Sequence, residues 1–138
     1  AVWEDACVEF FSIPAGDGIY YNVECNCAGI LLIGAGAGRE NREHAPQEVM
    51  DKVQRWSSLG RQSFEERVGE CNWELALVIP YSAFFKHRIT SLDGKTVRAN
   101  FYKCGDKLQT PHFLSWNPIA LEKPNFHCPE FFGTLNFE

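Results

Sequence analysis

Period-two alternation is the feature that most limits what this chain can become. In "CNWELALVIP", Trp73, Leu75, Leu77 and Ile79 alternate with Glu74, Ala76 and Val78, the pattern of a half-buried strand with Trp73 in the core. "ACVEFFSIP" also alternates, is rich in β-formers and stops at Pro14. After the turn "AGDG", "IYYNVECNCAGILLI" reads as one or two strands bent near Gly29, forming a hairpin with the first run. An Asp93–Gly94 turn opens a further strand from about Val97 to Cys104, and "FFGTLNFE" is the last. One segment carries a helical pattern, "PQEVMDKVQRWSSLG". Pro46 suits its first position, Val49, Met50, Val53 and Trp56 share a face, and Gly60 ends it. "YSAFF" fits a helical turn and "GAGAGRENREHA" a loop. The expectation is a single all-β domain over residues 1–138. It is a β-sandwich with one short helix and long loops, because several strands carry bulk on both faces.

Composition removes several function classes. A formal net charge of −5 argues against a general binder of phosphate backbones or anionic membranes, so neither nucleic acid nor membrane is an expected partner. No apolar run reaches the roughly 18 residues of a membrane span. The six cysteines, at 7, 25, 27, 71, 104 and 128, fall largely in strand-like flanks where Cys packs as a small hydrophobe, so buried free thiols are expected over disulfides. Neither C-x2-C nor H-x3-H occurs, and no zinc motif is read.

Few constellations suggest catalysis. "GAGAGRE" lacks the spacing of a phosphate-binding loop. Glu9 and Glu24 lie on neighbouring expected strands and invite a glycosidase reading, but as solvent-facing or supporting residues they carry no mark of an acid–base pair. Cys128 and His127 are adjacent in sequence, which rarely gives nucleophile–base geometry. His44, His87 and His112 stand alone.

The aromatic content is different in kind. The closing stretch "SWNPIALEKPNFHCPEFFGTLNFE" holds Trp116, Phe126, His127, Phe131 and Phe132 on a backbone broken by Pro118, Pro124 and Pro129. Neither a helix nor a central strand tolerates those prolines, so an ordered loop is expected. A flat ring can cover the apolar C–H face of a sugar while Glu, Asn or Arg side chains take its hydroxyls. Trp3, at the start of a strand, and Phe126, in the proline-fixed loop, suit that role.

"VWEDACVEFF", "YYNVECNCAG", "NWELALVIP", "VRANFYKCGD" and "SWNPIALEKPNFHCPEFFGTL" occur in that order. Together they resemble the carbohydrate-binding modules of family nine, in the branch common in gut Bacteroidetes. The resemblance implies an immunoglobulin-like or jelly-roll β-sandwich that binds mono- or oligosaccharides without catalysis, as an accessory to plant-polysaccharide hydrolases, in the periplasm or outside a bacterial cell. It implies two facing rings, carried over to Trp3 and Phe126, with Glu9 as the matching carboxylate and Asn22 where characterised modules carry an arginine. It also implies a structural calcium whose ligands are not placed. Phe126 in place of a tryptophan implies weaker stacking, and Asn22 removes a charged donor. His127 and Arg98 are further polar candidates, Arg98 alternatively pairing with acidic residues of its sheet, while Phe131, Phe137 and Phe113 are expected to pack the sandwich. Family domains carry several tens of residues, with early strands, before the opening motif. This chain is therefore expected to be a fragment or to take the missing strands from a second chain, leaving an apolar face uncovered. Alternatives are a glycoside hydrolase, or a hydrolase-associated structural module without a sugar site of its own.

Overall fold

The computed structural model describes residues 1–138. Nine strands form: β1 (Cys7–Ile13), β2 (Tyr20–Asn26), β3 (Leu31–Gly36), β4 (Glu43–His44), β5 (Gln54–Ser57), β6 (Leu75–Val78), β7 (Thr96–Gly105), β8 (His112–Ser115) and β9 (Gly133–Asn136). Seven build one antiparallel sheet in the order β4-β3-β2-β1-β7, and β8 and β9 share the far edge of β7. The β5–β6 hairpin is the second layer of this all-β sandwich. The alternation in "ACVEFFSI" thus belongs to a central strand, flanked by β2 and β7. Gly29 makes the tight turn between β2 and β3 at φ +76°, a conformation that side chains resist.

Two-residue periodicity gives the large sheet two unlike faces. One presents Phe10, Tyr21, Val23, Cys25, Leu31, Ile33 and Val97 to the hairpin and to Val53, Phe84 and Leu92. The hairpin covers only part of this face. An apolar groove of about 560 Å³ stays open beside it, lined by Val8, Phe10, Phe101, Leu77, Leu135 and Phe137 among others, with Phe10 and Phe101 stacked at 5.0 Å. The opposite face packs Phe11, Tyr20, Tyr102 and Phe132 under the closing loop and leaves its other end open as a polar cleft. No helix is long and apolar enough to cross a membrane.

The expected helix over 46–60 shrinks to one turn, Gln47–Met50. Val49, Met50 and Val53 do reach the core, but Gln54–Ser57 pairs with Leu75–Val78 instead of continuing the helix. That leaves Trp56 exposed. Tertiary strand pairing overrides a weak local preference here. Trp73 stops short of β6 and is only half-buried, its ring 5.7 Å from the Lys103 ammonium. Trp3 lies in a 3-10 turn, Val2–Glu4, ahead of β1 and not at its start. Of the two adjacent phenylalanines in the closing segment, Phe132 is the buried one and Phe131 is only partly covered.

Candidate ligand-binding cleft

The cleft holds about 440 Å³ and is lined by Trp3, Glu9, Asn22, Phe126 and His127, five of the six residues singled out from sequence. Chain topology explains why distant segments meet. Glu9 on β1 lies opposite Glu24 on β2, and Phe11 opposite Asn22, so one face of the hairpin becomes a floor of acid and amide groups. Trp3 reaches the cleft from the N-terminal turn, whose carbonyl is held by the Asp106 amide at 3.3 Å and which packs against β2 and β7. Phe126 arrives from the closing loop, with Pro124 and Asn125 lining the same wall. Its ring stacks on Tyr102 at 4.1 Å and 9°, and the Tyr102 hydroxyl donates to its carbonyl at 3.1 Å. Trp3 is 40% exposed and Phe126 partly so, as rings that meet a ligand must be.

Arg98 is not in the cleft. It lies opposite Ile13, four residues along β7 from Tyr102, and donates to the Phe132 carbonyl at 2.7 Å, with no acidic partner. Phe113, expected in the core, is exposed on β8 and lines the cleft, edge-on to Phe126 at 6.2 Å. Glu9 and Glu24, expected to face solvent or lend support, are 5% and 4% exposed at the cleft floor.

Arg42 is the residue that sequence reasoning missed. It comes from the glycine-rich stretch, and its guanidinium forks onto Asn22 Oδ1 at 3.1 and 2.7 Å and onto the Tyr20 carbonyl at 2.9 Å. A charged donor beside Asn22 is therefore supplied from the β3–β4 connection, and Arg42 lines the cleft itself. The glycines were the signal. A Cβ on Gly34 would meet Asn22 Oδ1 at 2.7 Å, and one on Gly36 would press on Arg42 at 3.4 Å. Strand β3 is stripped of side chains where the amide and the guanidinium lie against it. Asn22 Nδ2 in turn donates to Glu24 Oε1 at 3.1 Å, while Glu24 Oε2 is buried without a partner.

Burial sets the ionisation of the floor. Desolvation, and then the Glu24 charge, push Glu9 up to about 10, so it is a neutral acid at pH 7. Burial raises Glu24 to about 7, opposed by the Asn22 hydrogen bond and by Arg42. His127 accepts or donates at Nδ1 with the Tyr20 hydroxyl, 2.8 Å away. Burial, then Arg42 and Arg39, hold it down to about 4, so its ring is neutral. The arrangement offers flat rings at the rim and neutral or half-charged hydrogen-bonding groups below. Such a surface suits a ligand with an apolar face and many hydroxyls. The one cluster of three potential metal-binding side chains is Cys7, Glu9 and Cys104, with two sulphurs, whereas Ca²⁺ takes six to eight oxygens.

The family model for carbohydrate-binding family 9 matches residues 1–137. A crystal structure described as that of a "putative carbohydrate-binding protein" from Bacteroides uniformis is 70% identical and superposes with a TM-score of 0.96 over 99% of this chain. The chain spans 63% of the length of that relative. Among curated proteins, none matches. The match over nearly every residue, with the fold to accompany it, settles the assignment: the chain belongs to carbohydrate-binding family 9.

Proposed function

We propose that the cleft binds a mono- or oligosaccharide without transforming it, stacking a sugar ring between Trp3 and Phe126. Glu9, Asn22, Glu24 and His127 take its hydroxyls, and the chain serves as an accessory to polysaccharide degradation. One observation carries this reading. The two ends of the polypeptide bring exposed rings to one cleft whose floor holds a buried acceptor, Glu24 Oε2, with no partner in the protein. A sugar hydroxyl supplies that hydrogen bond and removes a desolvation penalty of about 1–3 kcal/mol. The uncharged Glu9 carboxyl can donate as well as accept, which suits neutral diols better than ions do.

The test is calorimetric titration with a panel of mono- and oligosaccharides from plant polysaccharides. Trp3→Ala is expected to weaken binding about tenfold or more, equivalent to about 1.4 kcal/mol, and Phe126→Ala by less, since Tyr102 already covers one of its faces. No heat with any sugar, or an unchanged affinity in Trp3→Ala, overturns the reading.

The same proposal extends to the open groove on the other face. In the working protein it is covered by further strands of the same polypeptide outside residues 1–138. A groove lined by thirteen hydrophobic residues and one polar one supports this, as does a relative of greater length that shares the fold of these residues. The 138-residue chain alone is then expected to bind a hydrophobic dye, and a version extended by its neighbouring coding sequence is not. Equal dye binding by both, or dimerisation through the groove, contradicts it.

A further inference from the structure

Beneath the cleft floor, and reaching it through Glu9, lies a second constellation that ring stacking does not use. The β1–β7 pairing sets Cys7 directly opposite Cys104, on the face that carries Glu9 two residues further on. Both cysteines are buried and all six in the chain are free thiols. Cys104 Sγ lies 3.2 Å from Glu9 Oε1, and both sulphurs and a Glu9 carboxylate oxygen fall within 4.8 Å of one another. Glu24, opposite Glu9 on β2, adds an unpartnered buried oxygen in the same cleft. The neighbouring guanidinium, Arg42, is directed at Asn22 and at the Tyr20 and Gly38 carbonyls and offers these groups no hydrogen bond. Acidic and soft donors therefore converge on one buried point with no cation among them.

We propose that Cys7, Cys104 and Glu9 bind a thiophilic divalent cation of the Zn²⁺ class at the cleft floor, with the fourth position open toward Glu24 and the cleft. Tetrahedral Zn²⁺ holds thiolate at about 2.3 Å and carboxylate oxygen at about 2.0–2.2 Å, which separates S from O by about 3.5 Å. The Cys104–Glu9 distance is already close to that. Thiolates select for soft ions and against Ca²⁺ or Mg²⁺. The ion enters through the cleft, which Glu9 lines. It displaces the two thiol protons and the carboxyl proton to solvent, forming two metal–sulphur bonds and one metal–oxygen bond with no change of oxidation state. No spacing motif announces this site, because its two cysteines come from opposite ends of the chain and meet only through strand register. The inference shares Glu9 with the sugar-binding reading, but its test uses the metal alone and no sugar, so the two can fail separately.

The experiment titrates the reduced protein with Zn²⁺ alone and, separately, with Cd²⁺ alone. Equilibrium dialysis is expected to give one ion per chain, and Cd²⁺ to produce the ultraviolet absorption of sulphur-to-metal charge transfer. Binding is expected to weaken as pH falls. Glu9→Gln weakens it at least tenfold, Cys7→Ser with Cys104→Ser abolishes it, and Cys71→Ser, an exposed thiol, leaves it unchanged. Far-UV circular dichroism checks each fold, and the Cd²⁺ band of the unsubstituted protein needs no variant. Three results overturn the proposal: no ion held by the folded reduced protein, undiminished binding in the double serine variant, or a Cys7–Cys104 disulfide in protein isolated without reductant.

Discussion

The two faces of the large sheet are made by the same strands, residue about residue, yet they open onto unlike hollows. On β1, Glu9 points into the polar cleft and Phe10 into the apolar groove. On β2, Asn22 and Glu24 alternate with Tyr21 and Val23. The cleft is built of polar groups that are buried and mostly tied to one another, from Arg42 to Asn22 to Glu24. Such a network is costly to leave half satisfied, so one free acceptor in it points to a ligand. The groove has no such network: thirteen of its fourteen lining residues are hydrophobic, and Phe101 is 41% exposed. Concavity alone therefore does not identify a site. What separates the two hollows is whether their buried polar groups have been arranged.

The largest expected effect lies under the covered part of the apolar face. Ile33 is fully buried there, and Ile33→Ala is expected to cost about 2–5 kcal/mol of stability by denaturant unfolding. Phe101→Ser, in the open part, is expected to cost far less. Equal losses would mean the groove is as well packed as the core, and the contrast would fail.

A pH series tests the other face. Glu9 binds a proton in the folded state up to about 10 but releases it near 4.5 when unfolded. Stability therefore falls as pH rises between those values, by about 1.4 kcal/mol per unit for one group. Glu24 acts in the same sense below about 7. His127, held near 4, acts in the opposite sense up to about 6.5 and offsets one carboxyl there. The clearest window is about pH 7.5 to 8, above the Glu24 titration and below that of the unfolded thiols, where unfolding free energy is expected to decline more steeply in the native sequence than in Glu9→Gln. A flat native profile would show that Glu9 is ionised at neutral pH.

Arg42→Lys is a smaller change. An ammonium cannot reproduce the fork on Asn22, and a loss of about 1–3 kcal/mol in stability, with weaker ligand binding, is expected from calorimetry. Arg98→Ala is the smallest, with sugar affinity within about twofold of the native protein, because Arg98 serves only the Phe132 carbonyl. A large loss there would extend the site beyond the cleft.

These contrasts also mark what could be read in the sequence. Alternation located β1 and β6, β-forming runs and turn residues located β2 and β7, and β2 proves buried on both faces. The helix over 46–60 failed because its apolar spacing is met by one turn followed by a strand, and only the partner strand decides between them. Trp3 and Phe126 were singled out by residue type and setting, Glu9 and Asn22 by resemblance to a family, and His127 as a further polar candidate; all five line one cleft. Arg42 and the Cys7–Cys104 pair were not legible, since Arg42 folds onto β2 from the β3–β4 connection and the two cysteines meet only through the β1–β7 register; Glu24 was paired with Glu9, but its burial was not foreseen. Arg98 was misplaced for a related reason: it shares the face of Tyr102 but stands about 13 Å along the strand.

The most direct measurement is amide and indole NMR during titration with the sugar panel. The account expects shifts at the Trp3 indole, the Asn22 side-chain amide and the Phe126 backbone, with Phe10 and Phe101 unmoved. Shifts confined to the groove, or none anywhere with the whole panel, would contradict it.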